Sequence, residues 1–387
     1  MSGPALRRRI ETALGRLALR GPPPVAGNRL RLLIDGAAVY PAMHEAISQA
    51  RRTITLETFF YEPDATGDRF LAALIERARA GVLVRLMVDG VGSFSTPREY
   101  FAPLVAAGGR VAVYSAPKPW VPLSRLWRRN HRKVLVVDDT TAYLGGLNIH
   151  DEAAPVEWGG EAWHDAHVEV VGPVALRLTD LFNRTWLRVR GEDLRDRRAP
   201  AVQPSGSTSV QVLESRIARR YSVRRAYLDA IRQAQHRICI SNAYCIPDRG
   251  IRRALYAARL RGVQVQILFA GSTDVLAVRF ASQALYARLM KRGIEVWEWH
   301  ERVLHTKTAV IDGAWSNIGS YNLDTRSLLH NLEANLACVD AELGAAVERE
   351  FDADLTRSRR IDPETWHRRP RVNKMLEWMC LQLAPLL

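Results

Sequence analysis

At 387 residues, with 47% hydrophobic side chains, the chain has material for about two to three packed domains and too much apolar content to stay disordered. Its 55 Lys and Arg against 41 Asp and Glu leave a net charge of +14, which points to an anionic polymer or surface as partner. No stretch approaches the roughly 18 uninterrupted apolar residues of a membrane-spanning helix, and the four cysteines (Cys239, Cys245, Cys338, Cys380) lack metal-ligand spacing, which reads as buried thiols in a reducing compartment.

In chain order, residues 1–28 form a basic segment. Leu6, Ile10, Leu14 and Leu17 recur at helical spacing among Arg7, Arg8, Arg9, Arg16 and Arg20, the pattern of an amphipathic helix on an anionic membrane or of a plain terminal helix. Pro22-Pro23-Pro24 stops it. Residues 29–190 then alternate strand and helix. Strands are expected at Leu30–Ile34, Thr53–Tyr61, Val84–Val88, Val111–Tyr114, Val134–Val137 and His167–Val171. Helices are expected at Ala38–Arg51, Gly67–Ala80, Phe101–Ala107 and Val174–Arg188. This alternation argues for a layered α/β domain. Residues 191–208, polar and Pro/Ser-bearing, read as a linker, and residues 209–387 repeat the order. Thr53-Ile54-Thr55-Leu56 through Pro63-Asp64 is matched by Arg237-Ile238-Cys239-Ile240 through Pro247-Asp248, and Gly81-Val82 by Gly262-Val263. The apolar tail Met375–Leu387 is too short to span a bilayer; it is expected to dock on the domain or to dip into the membrane interface.

One pattern occurs in both halves, 174 residues apart. Residues 131–148 carry His131, Lys133, an apolar run to Asp138, then Gly145-Gly146-Leu147-Asn148; residues 305–322 carry His305, Lys307, Asp312 and Gly319-Ser320-Tyr321-Asn322. The apolar runs read as short strands ending at an Asp turn, so that His and Lys project from one face. Glycine at the end of the next strand allows close backbone approach. Each copy thus offers an imidazole, an ammonium and a carboxamide, a set suited to a phosphoryl group, and two copies brought together form a phosphate cradle that needs no metal or other cofactor. Lysine occurs only at 118, 133, 291, 307 and 374, so two of the five sit inside the motifs of a chain that otherwise uses Arg.

These motifs resemble the paired HKD motifs of the phospholipase D superfamily. Narrower phrases resemble bacterial cardiolipin synthases: Arg129-Asn130-His131-Arg132-Lys133, Trp163 through His167-Val168, Ala243-Tyr244-Cys245-Ile246-Pro247-Asp248, Gly319-Ser320-Tyr321-Asn322-Leu323-Asp324 with Arg326-Ser327, and Asn331-Leu332-Glu333. Many of those proteins begin with two membrane-spanning helices; this sequence is similar to the shorter type without them. The resemblance implies an α/β fold of two similar α/β/α sandwich halves with mixed sheets, related by a pseudo-two-fold, with the active site at their interface. It also implies covalent catalysis through a phosphohistidine, with His131 as nucleophile and His305 as acid and base. His131, Lys133, Asp138, His305, Lys307 and Asp312 form the implied catalytic set, in which Asp138 and Asp312 are expected to shape the hairpins. Asn148, Asn322, Gly146 and Ser320 are expected at the substrate. Each histidine needs an acceptor for its second ring nitrogen; Glu333 is the candidate in the second half and Asp165 in the first.

The implied function is phosphatidyl transfer from a phospholipid to the hydroxyl of phosphatidylglycerol, at the cytoplasmic face of a bacterial membrane, peripherally bound to anionic phospholipid. Trp120, Val121, Pro122, Leu123, Leu126 and Trp127, beside Lys118, Arg125, Arg128 and Arg129, form an interfacial mixture that suits lipid head groups. The alternatives are a hydrolase of the same superfamily, acting on phospholipid or, second to that, as a nuclease, and a non-enzymatic scaffold. Nucleic acid is not expected as a partner, because basic residues are not interleaved with stacking aromatics along a strand. The oligomeric state is left open.

Overall fold

The computed structural model describes residues 22–116, 127–192, 202–216 and 220–384. The basic N-terminal segment Ala5 to Arg20 and the stretch from Lys118 to Leu126 lie outside these residues.

The first half contains β1 (Val25–Ile34), α1 (Asp35–Gln49), β2 (Thr53–Thr58), α2 (Ala65–Arg79), β3 (Leu83–Asp89), α3 (Ala102–Ala106), β4 (Arg110–Tyr114), β5 (Val134–Val137), β6 (Thr141–Gly145), β7 (Ala166–Val171) and α4 (Val174–Arg190). The second contains β8 (Thr208–Arg216), β9 (Arg220–Tyr221), α5 (Ser222–Gln233), β10 (Arg237–Asn242), α6 (Arg249–Leu260), β11 (Gln264–Ala270), α7 (Leu276–Met290), β12 (Glu295–Trp299), β13 (Lys307–Ile311), β14 (Trp315–Gly319), α8 (Thr325–Leu329), β15 (Glu333–Val339) and α9 (Ala341–Thr356). A tail of β16 (Ser358–Arg360), α10 (Pro363–His367) and α11 (Arg371–Leu383) follows.

Strand order is β4-β3-β2-β5-β6-β7-β1 in one half and β12-β11-β10-β13-β14-β15-β8 in the other, the same path taken twice. Both sheets are mixed. β2, β3 and β4 are parallel and need crossover connections such as α2, whereas β5, β6, β7 and β1 are antiparallel, with only β5 and β6 joined by a short turn. The halves do not stay separate sheets. β1 starts at Val25, earlier than its apolar pattern suggests, and its extra residues pair with β8 at Val25↔Val210 and Asn28↔Thr208, joining the two paths into one.

β5, Val-Leu-Val-Val, has no polar alternation because both of its faces are buried. Leu135 and Val137 pack with Ile54, Leu56 and Phe70 inside the first half. Val134 and Val136 enter a second core shared by both halves, with Leu144 and Val168 on one side, Leu268, Val310 and Ile318 on the other, and Leu178 of α4 and Phe351 of α9 alongside. That shared core presses the two motif hairpins together. The residues after the parallel strands β2 and β10, Phe59-Phe60 and Tyr244, come to one cavity, as expected of carboxyl ends of parallel strands.

Candidate active site

Each motif meets the opposite half before it enters its own sheet. Asn130 bridges Leu332; His131 N–H donates to Leu332 O at 3.0 Å, and Leu332 N–H donates to Arg129 O at 2.8 Å. In the other copy, His305 N–H donates to His164 O at 2.8 Å, and His164 N–H donates to Val303 O at 2.8 Å. The residue after Leu332 is Glu333 and the residue after His164 is Asp165. Each bridge therefore sets one half's carboxylate beside the other half's histidine.

The pairing is crosswise. His131 Nδ1 lies 3.0 and 3.1 Å from the Glu333 oxygens, and His305 Nδ1 lies 2.7 Å from Asp165 Oδ2. This corrects the within-half pairing expected from the sequence: local order cannot decide it, because the partners are brought together by the packing of the halves. A ring donating Nδ1–H to a carboxylate keeps its lone pair on Nε2, the tautomer that a nucleophile or base needs. Both histidines line one cavity of about 790 Å³.

The carboxylates differ in support. Glu333 is fully buried and accepts from Ser320 Oγ at 2.5 Å, Ser327 Oγ at 2.8 Å and Asn331 Nδ2 at 3.2 Å. Burial alone raises its pKa, but His131, Lys133 and Ser320 outweigh that and hold it below the usual value. Asp165 accepts from Ala166 N–H at 2.7 Å, and there burial wins over Lys307 and His167, lifting the carboxyl to about 6. Burial lowers His131 to about 4, against the pull of Glu333, and lowers His305 well below its ordinary value.

Several expected site residues sit elsewhere. Lys133 and Lys307 are buried behind their histidines rather than on the cavity wall, Lys133 Nζ donating to His131 O at 2.8 Å and Lys307 Nζ to His305 O. Burial lowers both ammonium pKa values. Asp138 and Asp312 are at the far ends of β5 and β13 and do not belong in a catalytic set. Asp138 accepts the N–H groups of Arg51, Arg52 and Thr53 at 2.7–2.9 Å, and Asp312 those of Gln235, His236 and Arg237 at 2.8 Å. Both adopt positive φ, 53° and 54°, so they tie turn to strand start, the hairpin-shaping part of the expectation. Gly146 and Ser320 lie under the carboxylates. A Cβ at Gly146 would fall 2.3 Å from Asp165, and Ser320 donates to Glu333, so the matched position leaves room for one carboxylate and supports the other.

Asn148 and Asn322 do line the cavity. Asn148 Oδ1 accepts from Phe60 N–H at 3.1 Å and Thr58 Oγ at 3.3 Å, leaving its Nδ2 donors. Asn322 Oδ1 is buried without a partner among the described residues.

Three features escaped the sequence reading. Phe59 stands edge-on to His131 at 5.2 Å, and Trp163 and Tyr244 flank His305 at 5.7 and 6.4 Å; Phe60 and Tyr244 occupy matched repeat positions, a signal that was there to use. Arg129 and Asp89 form a buried ion pair at 3.2 Å, and Asp89 also accepts Asn130 N–H at 2.8 Å, anchoring the approach to His131. His164 is bonded by Asp35 at 2.8 Å and Asp354 at 3.0 Å and stacks on Trp299. Burial opposes its charge, but the two carboxylates outweigh it and raise His164 to about 9, an imidazolium that clamps Asp35 of the first half to Asp354 of the second.

A family model described as "Cardiolipin synthase, PLD-like domain" matches residues 43–186 and 227–355. The chain is 31% identical to a protein named cardiolipin synthase A from Pseudomonas syringae pv. syringae over 367 residues, covering 94% of this chain and 76% of that protein. It is 35% identical to cardiolipin synthase B of Escherichia coli over 324 residues, covering 81% and 77%. Among solved structures, phosphatidylserine synthase of Haemophilus influenzae shares the fold, with a TM-score of 0.75 over 98% of each chain at 15% identity.

Proposed function

The chain belongs to the family of cardiolipin synthase phospholipase D-like domains, and on that footing we propose that its cavity moves a phosphatidyl group from one phosphatidylglycerol to a hydroxyl of a second. It is a phosphatidyltransferase of the cardiolipin synthase type acting on phospholipids. The observation that carries the residue roles is the pair of histidines on one cavity, each held at Nδ1 by a buried carboxylate of the opposite half.

His131 is the nucleophile. Glu333 stays anionic, fixes the Nε2 lone pair and balances the positive ring that forms when Nε2 bonds to phosphorus. As that bond forms, the bond from phosphorus to the glycerol oxygen breaks, and His305 gives its proton to the departing oxygen. A second phosphatidylglycerol then enters. Its hydroxyl proton goes to His305 as the oxygen attacks phosphorus, and the N–P bond breaks to restore His131. Lys133 and Lys307, each donating to the carbonyl of its own histidine, act from behind the two rings rather than from the cavity wall. Asn148 adds its amide donors where charge develops, and the partnerless Asn322 Oδ1 suits a glycerol hydroxyl.

These titrations set the pH dependence. Below about 4 His131 takes up a proton and the nucleophile is lost; above about 6 the Asp165–His305 pair releases the proton that the leaving group needs. For the free enzyme, kcat/KM is therefore expected to peak between these limits. A bound phosphodiester anion raises the pair's pKa, so the falling limb of kcat is expected at higher pH than that of kcat/KM. Profiles on a water-soluble short-chain phosphatidylglycerol check this, and superimposed limbs would count against it.

The cytoplasmic face of the membrane is the proposed location, supported by four cysteines that are all unpaired thiols. No helix of the described residues is long and apolar enough to cross a membrane. Product analysis tests the reading. Phosphatidylglycerol vesicles, incubated with the protein and with His131→Ala and His305→Ala controls, are expected to give cardiolipin and free glycerol only with the unaltered chain. Phosphatidic acid in place of cardiolipin would make water the acceptor and overturn transfer.

A further inference from the structure

A cavity of about 790 Å³ encloses a ligand of drug size. It takes a head group and glycerol backbone, and it leaves the acyl chains of two lipids outside. Beside the carboxylates of its lining, Glu62, Asp64, Glu152 and Asp274 among them, each half carries exposed apolar side chains near the cavity at matched positions. In the first half, the loop after β3 carries Phe94, 77% exposed, and Val91, 39% exposed. That loop is fastened to the cavity wall: Ser93 Oγ accepts Tyr61 N–H at 3.0 Å and donates to Phe59 O at 3.0 Å, and Ser95 Oγ donates to Glu62 at 2.8 Å. Phe60, itself on the wall, is also exposed at its outer edge. In the second half, the segment after β11 runs into α7, where Val275 and Val278 line the cavity and Leu276 between them is 61% exposed.

A third apolar surface adjoins α7. The tail helix α11 packs along it through Cys380, Leu381 and Ala384, with Glu377 buried on that side in an ion pair with Arg369. On the opposite side Val372, Met375, Leu376, Met379 and Leu383 recur at helical spacing, form one face and are all exposed, with Trp378 at its flank. Arg371 and Lys374 are exposed in the same helix. A water-facing helix has no use for a second apolar face, whereas tryptophan, methionine and leucine edged by cations are what an anionic lipid surface binds.

We propose that Phe94, Leu276 and the outer face of α11 together seat the protein on a phospholipid bilayer, holding the cavity mouth against the lipid head groups. The inference rests on the phospholipid substrate of the proposed function; the net charge of +14 and continuity with the cavity favour a bilayer over a protein partner. Substrate then enters from the membrane plane, chains trailing in the lipid, so that only the head group is desolvated in the cavity.

The test labels single cysteines with a polarity-sensitive fluorophore in the full chain carrying Cys380→Ser. The labelled sites are Phe94→Cys, Leu276→Cys, Met379→Cys and a control, Leu260→Cys; Leu260 is 86% exposed at the end of α6, a helix none of whose residues lines the cavity. On adding phosphatidylglycerol vesicles, emission at 94, 276 and 379 is expected to shift to the blue and rise several-fold, with no change at 260. No change at those three, or an equal change at 260, overturns the proposal. A change that appears on concentrating the protein without lipid also overturns it, assigning the face to a second copy of the chain. In a second arm, Phe94→Ser with Leu276→Ser is expected to lower turnover on vesicles about tenfold while leaving turnover of monomeric short-chain phosphatidylglycerol unchanged; equal loss on both substrates overturns the docking role. If the unaltered chain makes no cardiolipin from the soluble lipid, the functional reading fails, and the fluorescence arm still decides the docking surface.

Discussion

His131→Ala is expected to lower phosphatidyl transfer about 10⁵-fold, because it removes the atom that bonds to phosphorus. His305→Ala is expected to be as damaging on phosphatidylglycerol, where a glycerol oxygen has to leave with a proton. The two part company on a phosphodiester with a nitrophenolate leaving group, which departs without one. On that substrate His305→Ala is expected to release a burst of one nitrophenolate per active site and then stall, its covalent intermediate waiting for a base to activate the acceptor. His131→Ala is expected to give no burst. The basis is the geometry at Nδ1: Glu333, low in pKa and held by three further donors, suits a ring that becomes positive, whereas Asp165, raised to about 6, shares a proton with the ring that gives and takes one. A burst from His131→Ala, with none from His305→Ala, would exchange the two roles.

Removing the carboxylate of Glu333 is the second large effect, and it falls on the opposite half. Glu333→Gln puts an amide donor among groups that are already donors: His131 Nδ1–H, Ser320 Oγ, Ser327 Oγ and Asn331 Nδ2. His131 then loses the acceptor that fixes its tautomer, a change worth about 10³-fold in the rate of the burst. At least one buried donor is left unsatisfied, and stability is expected to drop by about 3 kcal/mol in chemical denaturation. Asp165→Asn makes the contrasting case. Its burst on the nitrophenyl ester is expected to survive, because the defect belongs to His305 and to proton transfer. If Glu333→Gln instead spares the burst while Asp165→Asn abolishes it, each carboxylate serves its own half and the crosswise assignment fails.

Much of this was legible locally. Val134–Val137 and Thr308–Ile311 read as short strands, and the Asp that ends each run reads as a turn. Asp138 and Asp312, with positive φ and three backbone N–H groups each, are what that turn requires. The repeat of strand order was visible because each strand–helix–strand unit is written within a few tens of residues. Less visible was how far β1 extends, since Val25 to Asn28 are held by pairing to β8 and not by an apolar pattern. Gly146 and Ser320 were assigned to substrate because their spacing is the motif's; their neighbours, Asp165 and Glu333, come from another strand. His164 gave no signal at all, as its charge depends on Asp35 and Asp354, far from it in sequence on either side.

The sequence by itself determined the two sets of reacting groups, because histidine, lysine and the hairpin that carries them are spaced by strand and turn geometry alone. Only the tertiary structure decided which carboxylate commands which histidine. His131 meets Glu333 and His305 meets Asp165 across separations of 202 and 140 residues, and what closes those distances is a hydrophobic core common to both halves, a force without direction that no local pattern encodes.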